Sequence, residues 1–221
     1  MEKREFKDRL FGLFAEVGKA VSSPKRVELL DLLGQAERTV EWLAHATGMS
    51  MGNTSQHLQV LRAAGLVVSR KEGLYVHYQL SSPLVSEVLG GLRALAEETS
   101  SDVDRLVIAY FGDRRDCDAM DMAELLARAE DRGLVLIDVR PPEEYAAAHI
   151  AFARSVPLDE LDRADLPRDR VVVAYCRGPY CVLADEAVRR LRAAGIDARR
   201  LDGGLPEWRS AGHPVVSENA P

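Results

Sequence analysis

The stretch VVVAYCRGPYCVLADEAVRRL, residues 171–191, carries an apolar run into a cysteine, turns through Arg-Gly-Pro-Tyr to a second cysteine, and continues at helical spacing. A continuous apolar run followed at once by a helix reads as a strand buried on both faces, the unit of a parallel sheet covered by helices. The chain around it alternates in the same way: AELLARAEDRG before LVLIDVR, PPEEYAAAHI before ARSVPL, and DARRLDGG before LPEWRSAG. Function in such sheets collects at the carboxyl ends of the strands, which is where Cys176 falls. A six-residue loop there, from Cys176 to Cys181, aims successive backbone N–H groups inward and adds the positive end of the next helix. That field is expected to lower the pKa of Cys176 and to suit an oxyanion such as thiosulfate, or the terminal sulfur of a persulfide. Gly178 and Pro179 let the backbone turn tightly around a bound sulfur, and Arg177 adds a cation. The candidate chemical thiols are therefore Cys176 and Cys181, and the candidate cradle is Arg177, Gly178, Pro179, Tyr180 and Cys181.

Composition sets the outer limits. With 221 residues, 47% of them hydrophobic, the chain makes one large domain or two small ones. No apolar run approaches the roughly 20 residues that span a bilayer, and the N-terminus MEKREFKDRLFGLF is amphipathic, so a cytoplasmic protein with no membrane partner is expected. Three cysteines, Cys117, Cys176 and Cys181, are too few for a disulfide framework. The net charge of −6 lies entirely in the second half: residues 1–100 carry 12 basic and 12 acidic side chains, residues 101–221 carry 17 and 23. Between Glu41 and Glu72 no acidic residue occurs, while Arg62, Arg70 and Lys71 do. Such a window suits a surface that faces phosphates.

The first half reads as helices followed by a hairpin. Two helices are expected between Lys7 and Leu33, with Pro24 suited to a first turn. A third, over about Val40–Thr47, turns at Gly48 into a fourth, capped by Ser50 and closed at Gly65. On that fourth helix Thr54, Leu58 and Leu61 share one face, and Asn53, Ser55, Gln56, Gln59 and Arg62 point away from it. Two alternating runs joined at Lys71-Glu72-Gly73 form a hairpin. Helix, turn, polar-faced helix and basic hairpin describe a winged helix.

The segment TSQHLQVLRAAGLVVSRKEGLYVHYQLS resembles the recognition helix and wing of ArsR-type bacterial repressors, over about Phe6–Glu98, including the long closing helix SPLVSEVLGGLRALAEE. The resemblance implies double-stranded operator DNA as partner and a homodimer. It places Asn53, Ser55 and Gln56 at base edges or nearby phosphates, and His57, Arg62, Arg70 and Lys71 mostly on phosphates. The matching stretch VEWLAHATG lacks the Cys-x-Cys of metal-sensing members, and its His45 reads as an ordinary surface or core histidine, so neither a metal nor a cofactor is expected. The second half resembles a rhodanese domain, over about Asp121–Val216. The marks are LIDVRPPEEYAAAHI with Asp138, Arg140, Glu144, Tyr145 and His149, the Cys176 loop, and LDGGLPEWRSAGHPV with Gly203, Gly204 and Trp208. It implies that sulfur is carried as a persulfide on Cys176, with Asp138 and Arg140 supporting the site and a polysulfide, persulfide or thiosulfate as donor. Two departures stand out: His149-Ile150-Ala151-Phe152-Ala153 lacks the usual glycine, and the last loop position, often basic or hydroxylated, is Cys181, which points to a resolving thiol.

The expected architecture is thus two domains, a mainly α winged helix-turn-helix over residues 1–99 and an α/β rhodanese-like domain with a parallel sheet over 120–217, joined by a helical connector over 100–119. Within that connector Cys117 reads as an ordinary cysteine. Two functions follow. One is a transcriptional regulator, a repressor, whose rhodanese domain senses or processes reactive sulfur through Cys176. The other is a thiosulfate or persulfide sulfurtransferase whose DNA-binding domain regulates its own expression.

Overall fold

The computed structural model describes residues 1–112, 119–130 and 133–218. Pro24, with no N–H to leave unsatisfied, stands in the first turn of α2 (Pro24–Leu33), just after α1 (Lys3–Val21). β1 (Arg38–Thr39) leads into α3 (Val40–Thr47), whose N-cap Thr39 accepts a hydrogen bond from the Trp42 amide at 3.2 Å. Gly48 closes α3 at φ 64°, a left-handed conformation that favours glycine. Ser50 then caps α4 (Met51–Ala63), accepting from the Asn53 amide at 3.3 Å. β2 (Val67–Glu72) and β3 (Tyr75–Leu80) form an antiparallel hairpin, and β1 pairs with the outer edge of β3. The turn is Gly73-Leu74, because Glu72 is already paired with Tyr75. Leu29, Leu30, Leu43, Leu58 and Leu61 are completely buried and form the core of this winged helix.

The chain divides into two compact units, Met1–Leu89 and Gly90–Pro221, so the division falls inside α5 (Leu84–Thr99) and not at its end. Val85 and Leu89 are buried in the first core, whereas Leu92 and Leu95 are exposed.

In the second unit, α6 (Ser101–Phe111) and β4 (Ala119–Met120) precede α7 (Met122–Glu130) and β5 (Leu134–Asp138). Then come α8 (Pro142–Ala147), β6 (His149–Ile150), β7 (Arg154–Ser155), a 3-10 turn at Leu161–Arg163, and β8 (Val171–Cys176). The unit closes with α9 (Val182–Ala193), β9 (Ala198–Gly204), α10 (Leu205–Ser210) and β10 (Val215–Val216). The sheet order is β4-β9-β8-β5-β7 with every pair parallel; β6 and β10 form a separate antiparallel pair. Alternate residues of the central strands enter two cores. Leu134, Leu136, Val173 and Tyr175 pack with Trp208 on one face, and Ile137, Val172, Ala174 and Cys176 pack with Ala184, Ala187 and Leu191 on the other. With both faces covered, neither strand has a solvent-facing position to fill with a polar residue, hence the unbroken apolar runs. The run ARSVPL contributes only the two-residue edge strand β7. Cys117 and the neighbouring connector positions 113–118 lie outside the described residues.

Candidate functional site

β8 ends at Cys176 and α9 begins just after Cys181, so the loop between them sits at the carboxyl end of the sheet. Its shape is set from below by Gly204 at the end of β9. A Cβ there would lie 2.5 Å from the Cys176 carbonyl oxygen, 2.5 Å from the Gly178 nitrogen and 2.7 Å from the Arg177 carbonyl carbon, so only glycine lets β9 approach the loop this closely. The preceding Gly203 has φ 104°, again a glycine conformation. The Gly-Gly pair therefore combines one glycine that must bend and one that must be thin.

Cys176 is 1% exposed and its thiol lies 3.8 Å from the Gly178 carbonyl and 3.6 Å from that of Cys181. Amides of Gly178 and Ala184 point at its sulfur, as a cradle requires, yet burial outweighs them and pushes the thiol well above its ordinary pKa. The lowering expected at Cys176 is found at Cys181. That thiol is half-buried, takes a hydrogen bond from Cys176 and others from the Leu183 and Arg177 amides, and is pulled down to about 6. Both cysteines are free thiols.

Arg177 does not lie open as a cation for the sulfur. Its guanidinium turns to Glu144 on α8, with Nη2 at 2.8 Å from Oε1 and Nε at 3.0 Å from Oε2, and Glu144 is completely buried. Sequence reasoning gave Glu144 no role, because a partner 33 positions away leaves no local signal. Gly178 lies over the Glu207 carboxylate, Pro179 and Tyr180 complete the turn, and the Tyr180 hydroxyl donates to Glu97 at 2.5 Å. Glu207 holds the Gly204 amide at 2.9 Å and is ion-paired with Arg93. Glu97 and Arg93 belong to the part of α5 that lies within the second unit.

Asp138 and Arg140 form a supporting pair that is entirely buried. Arg140 Nη2 donates to Asp138 Oδ2 at 2.6 Å and to the Ala148 carbonyl at 2.7 Å, while the Arg140 amide donates to Oδ1 at 3.0 Å. The pair ties the end of β5 to the end of α8. The segment after His149 manages without glycine, with the Ala153 amide bonded to the Ile150 carbonyl at 2.8 Å and the Tyr145 hydroxyl bonded to the Ala153 carbonyl at 2.9 Å.

In the first unit, α4 presents Asn53, Gln56, Gln59 and Arg62 to solvent, with Ser55 and His57 half-buried beside them and Thr54, Leu58 and Leu61 in the core. Lys71 is exposed on the wing. Arg70 is exposed too, but it is not an unpaired cation: its Nε and Nη2 donate to the two oxygens of Glu37 at 2.7 and 2.8 Å, and Nη1 bonds Glu72. The acid-free window of the sequence is thus partly filled by a carboxylate from outside it. Arg62 bonds the Ser69 hydroxyl at 3.3 Å. Among the described residues no cluster of side chains suited to a metal ion occurs, and no helix is long and apolar enough to cross a membrane.

A winged helix with a polar recognition helix, followed by a parallel sheet ending in a two-cysteine loop, defines a transcriptional regulator of the ArsR type with a C-terminal rhodanese-like domain. Residues 23–69 match the family described as bacterial regulatory protein, arsR family, and residues 121–211 match the rhodanese-like domain. The chain is 45% identical over 217 residues to the HTH-type transcriptional regulator Rv0324 of Mycobacterium tuberculosis, covering 97% of this chain and 95% of that protein, and it belongs to the same family. Among solved structures it resembles the homodimeric winged helix-turn-helix DNA-binding domain of Mb0332 from Mycobacterium bovis (36% identity, 46% of this chain and 93% of that one, TM-score 0.42). It also resembles a rhodanese-related protein from Thermoplasma volcanium (28% identity, 44% and 96%, TM-score 0.39).

Proposed function

We propose that the protein is a dimeric repressor that binds operator DNA through α4 and the wing, and that uptake of sulfane sulfur in the Cys176–Cys181 loop changes its affinity for that DNA. The observation that carries this reading is the pair of hydrogen-bonded thiols under a ring of backbone amides, with a thiol at the loop position where a donor-binding cation or hydroxyl would serve turnover. On the DNA side, Asn53, Ser55 and Gln56 would meet base edges, with His57, Arg62 and Lys71 on phosphates; Arg70 would exchange Glu37 for a phosphate. Apolar side chains that a monomer would leave in water support a two-fold dimer: Leu13 (62% exposed) and Phe14 (60%) on α1, Leu84 (60%) and Leu95 (56%) on α5.

The test is operator affinity, by fluorescence anisotropy, of reduced and polysulfide-treated protein beside turnover with thiosulfate. A sulfur-dependent change in affinity that vanishes in Cys176→Ser supports the sensor. Brisk turnover with an affinity indifferent to sulfur would instead make the protein a sulfurtransferase that regulates its own expression.

A further inference from the structure

We propose that Arg93 and Glu97, two residues of α5 outside the rhodanese-like match, are positioning residues of the sulfur site, clasping the Cys176–Cys181 loop shut over Cys176. The assignment rests on the loop as a sulfur acceptor and names what governs access to its thiol. Burial makes such control possible. Cys176 is 1% exposed and packed among Ala174, Ala184 and Ala187, with the Gly178 and Cys181 carbonyls against its sulfur. A reagent therefore reaches that sulfur only when the loop opens. The population of the open form is set by the contacts that opening must break.

Two contacts from α5 bear on the loop. Arg93 and Glu97 stand one helical turn apart and so share a side of α5, and both belong to the second unit, as the loop does. The first contact is direct: the Tyr180 hydroxyl donates to Glu97 Oε1 at 2.5 Å. Burial, and after it that carboxylate, pushes the Tyr180 hydroxyl up to about 12, so at neutral pH it keeps the proton the bond uses. The second contact runs through Glu207 on α10. Arg93 Nη1 donates to Glu207 Oε1 at 2.5 Å, while Glu207 Oε2 accepts from the Gly204 amide at 2.9 Å. A Cβ on Gly178 would lie 3.5 Å from Glu207 Oε2 and 3.8 Å from Arg93 Nη1. The ion pair thus sits against the loop residue whose amide points at the Cys176 sulfur.

Glu97 and Tyr180 are exposed and belong to neither core of the second unit, so their bond does not hold the sheet and helices together. What it holds is the loop. Opening parts Tyr180 from Glu97 and lifts Gly178 from the Arg93–Glu207 pair, and loss of either contact raises the open population with global stability unchanged. Each residue acts through another, Glu97 through Tyr180 and Arg93 through Glu207.

Timed iodoacetamide labelling of reduced full-length protein, read at Cys176 by peptide mass spectrometry, tests the clasp without any sulfur donor. Glu97→Ala, Tyr180→Phe and Arg93→Ala each label about three- to tenfold faster than wild type, the effect of one partly exposed charged hydrogen bond. The double variant Glu97→Ala/Tyr180→Phe labels no faster than either single one, because both changes remove the same bond. Glu97→Gln, which keeps an acceptor for the tyrosine, stays within about twofold of wild type, and so does Arg93→Lys, which keeps a cation on Glu207. Melting points stay at the wild-type value. A wild-type labelling rate in any of the three alanine or phenylalanine variants overturns the clasp and leaves the sulfur reading untouched. So does Glu97→Gln labelling as fast as Glu97→Ala, or a melting point that falls as labelling quickens. In a second arm, one equivalent of sodium tetrasulfide loads sulfur on Cys176 faster in the three variants by the factor seen in labelling. Faster labelling with no sulfur on Cys176 in any of the proteins supports the clasp and overturns the sulfur reading instead.

Discussion

Gly204→Ala isolates the close approach of β9 to the sulfur loop. The backbone at this position has φ −150°, an extended conformation open to any residue, so the added methyl acts by its volume alone. Ordinary van der Waals contact begins near 3.4 Å, whereas the new Cβ would sit 2.5 Å from both the Cys176 oxygen and the Gly178 nitrogen, so about 0.9 Å of clearance must be found. None of the three nearest atoms belongs to a movable side chain. Retreat of Gly204 is opposed by its amide bond to Glu207 at 2.9 Å, and the strand is already out of register here, Cys176 being paired with Gly204 after a shift from Ala174. Overpacking of this kind costs about 1–3 kcal/mol, or roughly 3–10 °C in the melting point of a unit this size. The loop is the part that must yield, so Cys176, slow to alkylate in the reduced wild type, should become accessible. Differential scanning calorimetry and timed iodoacetamide labelling measure the two effects. A variant that melts within a degree of wild type with Cys176 still protected would refute the argument.

Asp138→Ala leaves the fully buried Arg140 guanidinium without its carboxylate and should destabilise the second unit by about 3–5 kcal/mol in urea unfolding. Gln56→Ala should relax base preference by about 1–3 kcal/mol at one position per half-site with random DNA bound as before, measured by competition binding. Arg70→Ala should weaken all sequences alike and flatten the salt dependence by about one unit, and Glu37→Gln, which removes one of the two carboxylates on that guanidinium and leaves Glu72, should strengthen binding to every sequence.

The strand, loop and helix from Val171 to Leu191, the capped helix from Ser50 to Ala64 and the wing were all legible in the amino-acid sequence, for a common reason. Apolar periodicity, capping side chains and left-handed glycines act within a few residues of themselves, so their consequences are local and survive in the order of letters. The position of Cys176 at the end of a buried strand follows from the same local signals, and with it the whole placement of the candidate site. What escaped depends on who meets whom across the fold. Arg70 reads as a free cation until folding brings Glu37 to it, Arg177 reads as a neighbour of the sulfur until Glu144 takes it, and Gly204 reads as one more turn residue until β9 meets the loop. The environment of the thiols is of the same kind. The two cysteines stand five residues apart in one loop, and burial by the helix and sheet packed around it pushes the Cys176 thiol up, while hydrogen bonds draw Cys181 down. Solvation depends on everything that excludes water from an atom, and only the tertiary structure assembles that.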